Sequence, residues 1–311
     1  MHTAHLWPGR VRLYAEDMRN PDVLVVGEAL VDVVHRDGAV AEHVGGSPAN
    51  VALGLGRRGV AVALHTQLGP DERGGLVRRH LEASGVQILP ESFSAAATST
   101  ATADIADDGQ AAYRFDVRWE PEPIARGIRP RLVHTGSIAA FVEPGATVVR
   151  AAMRELGAAE LTFDPNIRPA LLPEHGTAVR MFEETAALAT VMKLSDEDAR
   201  WLYPDVDEDR LIASLLALGP RLVAVTLGAR GAVLATQAHT VRVPGVAVDA
   251  VDTIGAGDTF MASLVHSVLD AGSADLDAAA LQRIGREAAR AAAITVSRAG
   301  ADLPWQRELT K

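Results

Sequence analysis

Short apolar runs bounded by glycine or polar residues recur at 23–26, 132–134, 161–164, 189–192 and 222–225, as buried parallel strands require. Between and after them, apolar positions return at helical spacing over 49–58, 72–83, 147–156 and 276–296. This alternation predicts an α/β fold: a mostly parallel, Rossmann-like sheet with right-handed crossovers, flanked by helices. Two stretches break the rhythm. Valines alternate with polar residues from 33 to 44 around Arg36-Asp37-Gly38, and two further runs, 98–105 and 111–115, flank an Asp107-Asp108-Gly109 turn. Together they predict a small second β-sheet built from about 30–45 and 98–118. Residues 1–20 carry no periodicity and read as a loosely ordered extension, which leaves 21–311 as the folded domain.

Composition narrows the function classes. Apolar residues make up 48% and charged residues 23% of the 311, the balance of a soluble globule. A net charge of −10 with a pI near 5.5 argues against a broad nucleic-acid or anionic-membrane surface, so any bound phosphate has to be held locally. There are no cysteines, which removes disulfides, thiol nucleophiles and thiolate metal sites together. Neither a run of about eighteen apolar residues nor a signal peptide is visible, and the expected location is cytoplasmic.

The richest local chemistry is at Gly255-Ala256-Gly257-Asp258. Val241, Val243, Val246 and Val248 upstream read as extended chain, while Phe260, Leu264, Val265, Val268 and Leu269 recur as a helix. The glycines therefore sit at a helix N-terminus, where unpaired N–H groups and small residues suit a phosphate. Asp258 beside that anion either takes a proton from an attacking hydroxyl or merely complements the helix dipole. No Walker-A lysine motif is present, so phosphate would be held by backbone dipoles.

Earlier in the chain, Asp32 follows the first strand, where open sheets collect ligands; it either grips a small polar molecule or is a solvated loop acid. Gly45-Gly46 permits close backbone approach, Pro48 can open a helix, and Asn50 offers both donor and acceptor to a polyol. Gly54-Leu55-Gly56-Arg57-Arg58-Gly59 spells a dinucleotide fingerprint, but inside a helix instead of after a strand, so these glycines read as packing positions. Arg168, between Pro165 and Pro169, either presents a fork of donors to an anion or is a loop charge.

Asp252-Thr253-Ile254-Gly255-Ala256-Gly257-Asp258-Thr259-Phe260 resembles the C-terminal signature of the ribokinase/PfkB family of carbohydrate kinases. Gly45, Gly46, Asn50, Gly59, Gly69 and Gly75 resemble its N-terminal signature, in the right order. The resemblance extends from Val23 to about Trp305. It implies a ribokinase-like fold with the small sheet as a lid, and Tyr113 and Phe115 as lid residues. Gly255, Ala256 and Gly257 become the anion hole for the transferred phosphoryl group and Asp258 the catalytic base. Asp32, Gly45, Gly46 and Asn50 would contact sugar hydroxyls, Arg168 phosphate or substrate, and Lys193, Thr226, Gly228 and Gly231, with Gly255 and Gly257, ATP. Asp252 and Ile254, against the 297–301 loop, would hold a monovalent cation, K+. Ser195 and Asp198 stand where the family has Asn and Glu tied to Mg2+; capping of the following helix explains the pair equally well.

Glu28 to Asp32, Gly45 to Asn50, Asp164 to Arg168 and Lys193-Leu194-Ser195 are most similar to fructokinases. The resemblance thus implies ATP-dependent phosphorylation of a primary hydroxyl of fructose, with Mg2+ and K+, in a homodimer joined through the lid. Ribokinase, 2-keto-3-deoxygluconate kinase and adenosine kinase activities share the scaffold and stay open, as does a non-catalytic sugar or nucleotide sensor.

Overall fold

The computed structural model describes residues 20–36, 38–93, 97–105 and 111–310. The extension read at 1–20 lies outside them save for Asn20, as does the Asp107-Asp108-Gly109 turn. The strands are β1 (Val23–Val26), β2 (Leu30–Arg36), β3 (Ala39–Gly45), β4 (Val62–His65), β5 (Gln87–Ile88), β6 (Thr100–Ile105) and β7 (Ala111–Asp116) in the first half. They continue as β8 (Leu132–Gly136), β9 (Glu160–Asp164), β10 (Val191–Ser195), β11 (Leu222–Thr226), β12 (Ala232–Ala235) and β13 (Thr240–Val243). The longer helices are α1 (Ser47–Arg57), α2 (Glu72–Glu82), α3 (Gly145–Glu155), α4 (His175–Ala186), α5 (Asp196–Leu202), α6 (Glu208–Leu218), α7 (Ala256–Ala271) and α8 (Ala278–Val296).

Nine strands form one sheet in the order β13-β12-β11-β10-β9-β8-β1-β4-β5, parallel except where β12 and β13 turn back at one edge. The expected α/β architecture is what the chain adopts. Side-chain alternation divides the core into two layers. Val23 and Val25 meet Leu53 of α1, Leu264 of α7 and Leu281 of α8, while Leu24 and Val26 belong with Val149 of α3, Phe182 of α4 and Leu215 of α6. Both faces are therefore covered, which is why the central strands read as nearly continuous apolar runs.

The remaining four strands make a second sheet, β3-β2-β6-β7, with β2 and β6 parallel and the outer pairs antiparallel. Its entry and exit are tied together. Ser99 Oγ donates to the carbonyl of Arg118 and accepts from the Arg118 N–H, so the chain leaves this sheet beside the point where it enters.

Two strand boundaries differ from the sequence reading for a physical reason. The extended chain expected as far as Val248 ends at Val243; Pro244 carries no N–H to continue the ladder, and Val246, Val248 and Val251 are exposed in a long loop. Conversely, β10 does not stop at Met192. It continues through Lys193 to Ser195, because a carboxylate on the neighbouring strand neutralises the lysine.

Candidate active site

The carboxyl ends of β1, β8, β9 and β10 and the N-termini of α1 and α7 converge on one site. Gly255 starts α7 in the left-handed region at φ 77, and a Cβ there would come within 2.8 Å of the Ala301 Cβ. The first turn then carries Asp258, only 8% exposed. Its two oxygens are held from α1: Ser47 Oγ donates to Oδ1 at 2.6 Å and Asn50 Nδ2 to Oδ2 at 2.7 Å. The Gly-Gly-Ser-Pro turn makes this possible. Gly46 adopts φ 102, where any Cβ would lie 2.6 Å from the Glu28 carbonyl oxygen, and Pro48 opens the helix that presents Ser47 and Asn50.

Beneath the glycine turn lies a buried ion pair. Leu132 and Val191 face the α7 layer, so two residues on, His134 and Lys193 point the same way. Lys193 Nζ donates to Asp164 Oδ2 at 2.8 Å, both side chains nearly fully buried, and a Cβ on Gly257 would stand 3.1 Å from that ammonium. Burial pulls the lysine down, but Asp164, Asp198 and Asp258 together hold it above its usual range, so it stays charged. Burial and the nearby lysine push His134 down to about 3; it is a neutral imidazole whose Nδ1 meets Thr162 Oγ1.

On the other side of the site, Asp32 in β2 is half-buried and leans towards Gly45, where a Cβ would lie 2.2 Å from Oδ2. Burial raises its pKa, and the charges of His43 and Arg168 pull it back. Arg168 is exposed and donates to its neighbour's carbonyl, Ile167 O. It is close enough to Asp32 for its charge to lower that carboxyl group's pKa.

Asp198 is committed within the protein. One oxygen accepts from the Ile167 N–H and the other from the Ser195 N–H and Oγ, completing a capping box at α5. Asp252 closes two loops on each other, accepting from the N–H groups of Ile254 and Gly300. Thr226 ends β11, and the turn after it needs Gly228 at φ 57 and Gly231 at φ 96; at Gly231 a Cβ would be 2.0 Å from the Val243 carbonyl oxygen. Gly54 and Gly56 are packing positions in α1, the first against Leu303 and Ala262, the second against the backbone of Ser84.

The model of the pfkB family carbohydrate kinases matches residues 20–308. The chain belongs to the pfkB family of carbohydrate kinases. A fructokinase of Rhizobium leguminosarum bv. trifolii is 34% identical over 259 residues, 79% of each chain. Among solved structures, a fructokinase from Xylella fastidiosa with bound ATP superposes at TM-score 0.81 with 26% identity, covering 94% of this chain and 97% of its own. A fructokinase double mutant from Vibrio cholerae, with fructose, ADP and a potassium ion, superposes at 0.79 with 26% identity and coverage of 94% and 97%. The expectation of a family kinase with a ribokinase-like fold is borne out, and the chain is a fructokinase-like sugar kinase.

Three groups in the site carry no role in the sequence reading: Ser47, Glu28 and the Asp164–Lys193 pairing. Glu28 is 4% exposed and its Oε2 accepts from the Ala139 N–H at 3.2 Å. Ser47 had a visible signal, a hydroxyl beside the helix-opening Pro48. The ion pair had one too: opposite charges at the ends of successive predicted strands.

Proposed function

We propose that this kinase transfers the terminal phosphoryl group of ATP to a primary hydroxyl of a ketohexose, fructose first, with Asp258 as general base. The observation that carries the reading is the Asp258 carboxylate, fixed between Ser47 and Asn50 at the first turn of α7. Each oxygen keeps a lone pair beyond the hydrogen bond it accepts, so the carboxylate can still take a proton from a sugar hydroxyl. It stands in the first turn of α7, where the Ala256 N–H already donates to the Thr253 carbonyl and the N–H groups that follow suit the anion that hydroxyl attacks. Proton acceptor and anion hole thus face one reacting centre.

ATP would lie over the turns at Thr226 to Gly231 and Gly255 to Gly257, with the Lys193 ammonium beneath the second turn offsetting phosphate charge. Both Asp198 oxygens are engaged, and among the described residues no three His, Cys, Asp or Glu side chains gather as a metal cage. Mg2+ carried on the nucleotide would neutralise phosphate charge there. Asp252 and Ile254, in a loop tied to Gly300, would hold K+. The four-stranded sheet acts as the lid. Arg168 is assigned to the sugar, because Asp32 feels its charge. The exposed Tyr113 and Phe115, stacked 6.2 Å apart, give that sheet an apolar patch through which two copies pair.

Two measurements test the sugar side. ADP release from Mg-ATP with potassium, across fructose, ribose, tagatose, ketodeoxygluconate and adenosine, is expected to be highest with fructose; silence with fructose and turnover with another acceptor would move the substrate. Gly45→Ala drives a methyl group into the Asp32 carboxylate. Loss of a charge-assisted hydrogen bond of about 1.5–3 kcal/mol raises the fructose KM by about ten-fold or more. The ATP KM should hold; a matching rise in both would mean that Gly45 serves the fold and not the sugar.

A further inference from the structure

We infer that His43 is a specificity-determining residue for the sugar, standing across the β2–β3 ladder from Asp32 and hydrogen-bonding a hydroxyl next to the one Asp32 holds. The inference rests on the sugar-kinase reading above and adds to it a residue that no motif marks.

Register carries the argument. Asp32 pairs directly with His43 on β3 and with Ala101 on β6, and Ala101 pairs with Phe115 on β7. Directly paired residues point to the same face, so His43, Asp32, Ala101 and Phe115 form one row across the small sheet. The next row, Ala41, Val34, Ala103 and Tyr113, continues the same face. Within the first row only Asp32 and His43 are polar.

The opposite face is different. There His35 and Arg114 pair with Asp104, and Arg73 of α2 pairs with Glu42, so its charges satisfy one another. His43 instead lies on the Asp32 face, exposed, two residues before the Gly45-Gly46 turn that leads to Ser47 and Asn50. It is near enough to Asp32 that it and Arg168 both pull that carboxyl group's pKa down.

The chemistry suits a polyol. Cβ atoms of directly opposed residues lie about 4.5–5.5 Å apart, a spacing from which two side chains can reach neighbouring hydroxyls of one ring. A carboxylate only accepts; an imidazole both donates and accepts. The pair therefore distinguishes sugars by the orientation of one hydroxyl relative to the next, which a lone carboxylate does poorly. Because His43 is exposed and outside the core, removing it should leave the fold intact.

The test is the steady-state kinetics of purified full-length enzyme with fructose and with tagatose, which differ at one hydroxyl. His43→Ala is expected to raise the fructose KM by about ten-fold, the weight of one good hydrogen bond, and to narrow the preference for fructose over tagatose. The ATP KM and the melting temperature should not move. His43→Gln, which keeps a donor and an acceptor, should recover most of the loss. Unchanged fructose KM and unchanged preference in His43→Ala, with an active wild type, overturn this inference alone. A wild type that phosphorylates neither sugar overturns the ketohexose reading and this inference with it.

Discussion

Asp258→Asn is expected to lower kcat with fructose by a factor of about a hundred or more, the usual cost of deleting a general base. The substitution is nearly isosteric, and the surroundings accept it. An amide oxygen in the Oδ1 position still receives the Ser47 hydroxyl. The amide nitrogen would then oppose Asn50 Nδ2 across what is now a 2.7 Å contact, a clash that a flip of the Asn50 amide resolves by presenting its oxygen. Folding and ATP binding should therefore persist while proton removal fails. Single-turnover kinetics with pre-bound ATP isolates that step, and a variant that transfers phosphate at the wild-type rate removes Asp258 from the chemistry. If instead kcat holds and only the sugar KM rises, the carboxylate serves binding and the proton leaves by another route.

The proposed nucleotide end of this site is the part the sequence marks, because its chemistry is local. The Asp252 to Phe260 stretch contains its own anion-binding turn, so the residues that would contact phosphate are sequence neighbours. The proposed sugar end depends on contacts that periodicity cannot register. Ser47 and Asp258 are 211 positions apart and meet only because α1 and α7 start side by side on one edge of the site. From sequence Lys193 reads as the residue after a strand because a charge ends most apolar runs; the carboxylate that lets the strand continue is on β9. Alternating valines at 246 and 248 mimicked a strand in what is an exposed loop. His43 gave no signal, since its relation to Asp32 exists only in the register of a hairpin.

Glu28 shows the same limit and yields a prediction about stability. Its place after Gly27 reads as loop, yet it is almost fully buried at the end of β1. Burial raises its pKa from 4.5 to about 8, opposed by hydrogen bonds from Ser137, its own N–H and Ala139, and reinforced by the charge of Asp258. The folded protein thus keeps this proton up to about pH 8, whereas the unfolded chain releases it near 4.5. The stabilisation is complete below the unfolded value and is lost as pH rises through the folded one, for a total on the order of 5 kcal/mol. Burial raises Asp164 as well, to about 6, so the wild type alone would mix the two titrations. Glu28→Gln separates them: a neutral amide can accept the Ala139 N–H and has no proton to lose. Denaturant unfolding at pH 6 and pH 9 is expected to show the wild type losing several kcal/mol relative to the variant over that interval. An equal gap at both pH values would mean that Glu28 is already ionised in the native state and that a counter-charge has been overlooked. The same ionisation adds negative charge beside Asp258 and the proposed phosphate site. Wild-type kcat should therefore fall on the alkaline side while that of the variant stays level, linking the stability of the site to its chemistry through one carboxyl group.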